Sequence, residues 1–101
     1  MTPENGGRIE LRLGKVSGET AEYEAVLQVA SSSWRGVAQV GSAVTKQVQF
    51  GAWSAEPATA ATPPEWLTDD ARAALKAALR TSQVEGRWPR RLTRWRPEPS
   101  P

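Results

Sequence analysis

The sequence predicts an α+β domain: a four-stranded antiparallel β-meander followed by one C-terminal α-helix packed on one sheet face, with a basic Trp/Arg tail. Three observations predict it. Apolar and polar residues alternate in four consecutive runs, the spacing of half-buried strands. Turn-forming residues separate the runs with connections too short for the crossover that parallel strands need. One later segment repeats its apolar residues at helical spacing.

Residues 1–7, with Pro3, Asn5, Gly6 and Gly7, read as a disordered leader. In the first strand, about 8–16, Ile9, Leu11 and Leu13 alternate with Arg8, Glu10 and Arg12, and Gly14 marks a bulge before Val16. Ser17-Gly18-Glu19 turns the chain into a second strand, about 21–30. There Tyr23, Ala25, Leu27 and Val29 share one face, and Glu22, Glu24, Val26 and Gln28 the other. Ser31 to Ser33 connects to the third strand, about 34–41, where Trp34, Ala38 and Val40 alternate with Arg35, Val37 and Gln39. After a turn at Gly41-Ser42, the fourth strand, about 44–53, carries Val48 and Phe50 on one face and Gln47, Gln49 and Trp53 on the other. In that register Trp53 lies on the face away from the helix, exposed or covered by a second subunit, with Arg35, Gln39, Gln47 and Gln49 around it. A one-residue change of register reverses the assignment.

Glu56 opens an Ala/Thr/Pro linker over 56–64, whose Pro63-Pro64 a strand interior excludes. A helix follows over about 68–83. Thr68 suits its N-cap, and Asp69 and Asp70 complement the dipole of its first turn. Ala71, Ala74, Leu75, Ala78 and Leu79 form one apolar stripe, and Gly86 is the stop signal. Small alanines let the helix lie close to the sheet, with Trp66 and Leu67 closing one end of the core. The chain thus divides into the leader, a single ββββα domain over 8–86, and a basic Trp/Arg segment with a Pro-rich end over 87–101.

Composition narrows the function classes. At 101 residues there is room for one domain. Cysteine is absent, which rules out a disulfide framework and a thiolate zinc site. Histidine is absent too, removing the commonest metal ligand and the commonest general base at neutral pH. Ser31, Ser32 and Ser33 have no base placed by sequence to activate them and read as a polar loop. Glu22 and Glu24, side by side on one strand face, read as an exposed acidic surface rather than a hydrolytic pair. No phosphate loop, dinucleotide fingerprint or metal-ligand spacing occurs. The expectation is a chain that is not an enzyme and takes no cofactor or metal. The polar start has no apolar core of a signal peptide, and no run is long enough to span a bilayer, so the expected location is the cytoplasm, with no membrane partner.

The net charge of +2 hides an asymmetry. Residues 1–62 hold five Lys/Arg against six Asp/Glu; residues 63–101 hold eight against five. The excess concentrates in Arg87, Arg90, Arg91, Arg94 and Arg96, interleaved with Trp88 and Trp95. Guanidinium forks grip phosphates and indole faces stack on bases, so this segment is a candidate for single-stranded nucleic acid, with Trp53 and Arg35 on the sheet as secondary contacts. Two other readings use the same residues. Trp and Arg are also enriched where proteins dock, on a partner or on a second copy in a homodimer. Alternatively Trp88, Leu92 and Trp95 fold back to cap the core or add an edge strand. Four strands followed by a helix resembles, in element order, the whirly-type and transcriptional-coactivator-type single-stranded DNA-binding domains. That resemblance implies dimerisation and use of the sheet; no diagnostic motif of either family is matched.

Overall fold

The computed structural model describes residues 6–98. The first three strands form where the alternation places them: β1 Gly6–Ser17, β2 Thr20–Gln28 and β3 Ser33–Val40. They pair antiparallel with Ile9 opposite Leu27, Leu11 opposite Ala25, and Leu27 opposite Trp34. Directly opposed residues share a face, so these pairings gather the apolar set on one side. The register shifts between Leu13 and Val16, the bulge that Gly14 signals.

β1 begins two residues earlier than the alternation indicates. Gly6 and Gly7 belong to the strand and not to a leader, whose remaining residues lie outside the described ones. The reason is a close approach: a Cβ on Gly7 would stand 2.6 Å from Leu67 Cδ1 and 3.2 Å from Trp66 Cη2, so only glycine lets β1 run beneath the start of the helix.

The fourth predicted strand is not one strand. A 3₁₀ turn occupies Thr45–Gln47, β4 is Val48–Phe50, and β5 is Ser54–Glu56. β4 pairs with the second half of β3 and β5 with its first half. Gly51 still donates its N–H to Val37 O at 2.8 Å, residues 52–53 leave the ladder, and the Trp53 indole packs over Gly36, where a Cβ would stand 2.8 Å from its Cε3. The ring also meets Phe50, with centroids 5.3 Å apart. Gly36 lies opposite Ala25, on the core side. Trp53 is therefore half-buried on the helix-side face, the reverse of the sequence expectation. Burying the indole decides the break.

After a 3₁₀ turn at Ala58–Ala60, helix α1 runs Glu65–Glu85. It starts before Thr68 because Pro64 occupies the N-cap; its carbonyl accepts from the Leu67 and Thr68 N–H groups. The Thr68 hydroxyl donates to the Glu65 carbonyl inside the first turn instead of capping. Gly86 ends the helix with φ +77°, and its N–H donates to Ser82 O. Leu67, Ala71, Ala74, Leu75, Ala78 and Leu79 are buried against Ile9, Leu11, Tyr23, Leu27, Trp34, Val40 and Val48 of the sheet. Each fully buried Leu or Ile stabilises by about 1.5–3 kcal/mol.

The basic segment is a strand and not a tail. β6, Arg91–Pro97, pairs antiparallel with β1, giving the sheet order β4-β3-β2-β1-β6 with β5 also on β3. The result is a two-layer α+β fold with α1 on one face of a six-stranded antiparallel sheet. No helix among the described residues is long and apolar enough to cross a membrane.

Candidate binding surface

The β1–β6 register dictates where each arginine of the basic segment goes. Successive strand residues point to opposite faces. Arg91, Thr93 and Trp95 stand opposite Arg12, Glu10 and Arg8, on the face left open by the helix. Leu92, Arg94 and Arg96 stand opposite Leu11, Ile9 and Gly7, on the helix side. Arg87 and Arg90 lie exposed in the connection from α1. The five arginines are therefore split between two faces and a loop.

Trp88 and Trp95 separate as well. Trp88 is half-buried, edge-on to Tyr23 with centroids 6.3 Å apart. The Tyr23 hydroxyl donates to Pro89 O at 2.5 Å and pins the entry to β6. Burial pushes the Tyr23 phenol up to about 12. Trp95 is 45% exposed on the open face. Its six-membered ring lies over Gly6, leaving no room for a Cβ there.

Trp95 sits beside an arginine cluster that sequence reasoning missed. Glu10 faces Arg91 at 2.6 Å, Arg12 at 3.8 Å and Arg8 at 4.0 Å. The hydrogen bond from Arg91 is the main reason its carboxyl is held below the ordinary range, and the charges of Arg91, Arg8 and Arg12 add to it. The alternation of Arg8, Glu10 and Arg12 was visible in the sequence. What brings Arg91 and Trp95 to them is a pairing across 81 residues, with no local signal. On the other face Arg96 reaches Asp70 at 3.2 Å. Among the described residues, Arg35, Arg87, Arg90 and Arg94 have no carboxylate within ion-pair distance.

Arg35 lies on the open face, but on β3, three strands from β6 and so roughly 14 Å away. Trp53 is on the opposite face. Neither joins Trp95. The open face carries Arg8, Arg12, Lys15, Arg35 and Arg91 against Glu10, Glu22, Glu24 and Glu56, an excess of one positive charge, and its positive end is the β1/β6 margin.

The margin also carries free backbone. The Leu13 N–H donates to Arg90 O at 2.8 Å. With that pair hydrogen-bonded, Leu92, Arg94 and Arg96 turn their peptide groups toward β1, and Arg91, Thr93 and Trp95 turn theirs outward. No strand among the described residues pairs with that outer side. Pro97 falls at an outward position, where its missing N–H costs no ladder bond. At the entry to β6, a cleft of about 600 Å³ between the end of α1 and the bulged end of β1 is walled by Trp88, with Arg87 and Arg90 in its lining. No group of three or more Asp or Glu among the described residues is placed to hold a metal ion.

Compared with known proteins, the chain matches no family model, and no curated protein or solved structure shows significant similarity to it.

Proposed function

We propose that this chain is a non-catalytic protein-docking module whose working surface is the margin formed by β1 and β6. One observation carries the reading: β6 is a seven-residue outer strand with outward-facing peptide groups at Arg91, Thr93 and Trp95, next to the exposed Trp95 ring. An unpaired strand edge is a template for another chain, and an exposed Trp among arginines is the side-chain chemistry of an interface anchor.

A second reading, single-stranded nucleic acid on the same margin, is favoured by the placement of Arg8 directly opposite Trp95. It ranks lower because the margin offers a single exposed indole for stacking: Trp88 is half-buried against Tyr23, and neither Trp53 nor Arg35 joins Trp95. Titrating Trp emission with short single-stranded DNA and RNA at low and moderate salt separates the two. Docking of a protein predicts a flat response, together with a cellular partner whose capture is lost on Trp95→Ala. Quenching that weakens steeply with salt would instead establish phosphate contacts and remove the docking reading.

A further inference from the structure

Resting on the docking reading, we infer that the occupant of the β6 edge is an acidic extended peptide that adds to the sheet as a further strand. Side chains on β6 and its neighbour specify the acidity. Arg90, Arg91, Arg94 and Arg96, with Arg8 and Arg12 of β1, meet only Glu10 and Asp70 within ion-pair distance among the described residues. The margin keeps a positive excess on both faces of the strand: Arg91 and its β1 neighbours on one side, Arg94 on the other.

The outward peptide groups specify the extended conformation. Donors at Arg91, Thr93 and Trp95 recur at every second residue, the repeat that an added strand satisfies and a helix does not. A second copy of this chain is a poor occupant, because it brings the same four β6-region arginines to the same line. An added strand lays its own side chains alternately on the two faces. Running antiparallel, it presents successive residues to Arg96, Trp95, Arg94, Thr93, Leu92 and Arg91. Carboxylates therefore belong at the first, third and sixth of these positions, and aromatic or β-branched residues at the second and fifth, against Trp95 and Leu92.

The test uses the full chain and a short synthetic peptide of that pattern, with a control of identical composition in which the carboxylates are moved to the other positions. Hydrogen exchange by NMR reads the Arg91, Thr93 and Trp95 amides, and a titration reads affinity. Protection of those three amides by the patterned peptide, weaker binding of the control, and about tenfold weaker binding by Arg94→Glu are expected. Arg94 is exposed, so the variant keeps the core intact. Binding that changes Trp95 emission but leaves the three amides unprotected overturns strand addition while the docking reading stands. Protection of the same amides in the chain alone, rising with its concentration, makes a second copy the occupant and overturns the acidic peptide. No binding of the peptide alongside salt-sensitive binding of a single-stranded oligonucleotide overturns both.

Discussion

The sheet ends in two unlike edges. Beyond β3 the backbone is met by two three-residue strands, separated where residues 52–53 leave the ladder. Beyond β1 lies one unbroken seven-residue strand. The first edge is closed by shape: no long strand pairs with pieces so short and interrupted, whatever its side chains. The second is regular in shape and guarded only by arginine and a terminal proline. Charge repels what shares its sign and admits what opposes it. Edge protection in this molecule is thus general on one side and selective on the other.

The strongest way to break this contrast is Trp53→Ala. Removing the indole from over Gly36 and against Phe50 is expected to cost about 3 kcal/mol by urea denaturation, with amide protection in β6 retained up to the global transition. A loss below about 1 kcal/mol would mean that the indole is not what holds the broken edge. Next comes Gly36→Ala, which sets a Cβ 2.8 Å from the ring and is expected to cost about 2 kcal/mol through the same edge.

Tyr23→Phe tests the selective edge, since the phenol anchors Pro89 at the entry to β6. A cost of about 1 kcal/mol is expected. The same variant carries a pH signature. The phenol ionises near 12 in the folded chain against an ordinary 10.0, so folding favours its neutral form. That stability is complete below pH 10, is lost as pH rises from 10.0 to about 12, and should vanish from the alkaline melting profile of Tyr23→Phe. An unchanged alkaline profile would remove Tyr23 as its source. The smallest effect is expected for Glu10→Gln, at an exposed ion cluster. Glu10 is held below the ordinary range, so its contribution is present at neutral pH and lost as pH falls through its lowered value. The difference in melting temperature from the parent chain should therefore close in acid.

Local pattern carries most of the fold. Ile9, Leu11, Tyr23 and Leu27 declare their face by alternation, and Leu67 to Leu79 declare theirs at helical spacing. The expectation fails where a distant contact outranks local preference. Nothing near Trp53 in sequence reports that Gly36 leaves a hollow of indole shape opposite Ala25. Nothing in Gly6-Gly7 reports the helix start above it. The candidate surface is the harder half. Its aromatic and basic residues are visible as a composition, but their division between two faces depends on the parity of the β1–β6 pairing. Arg8 and Arg12, read as the polar side of an ordinary strand, join Trp95 only through that pairing.

The β1–β6 pairing also has a consequence in time. Glu10 and Arg91 are 81 residues apart, so at a synthesis rate of about 5–20 residues per second roughly 4–16 seconds separate their emergence. Throughout that interval β1 has β2 available on one side and nothing on the other. Its Arg8, Glu10 and Arg12 face mixes charges of both signs, which makes the open strand a poor template for a neighbouring nascent chain. The polar half of β1 thus guards the growing chain during the seconds before β6 arrives to pair with the β1 edge.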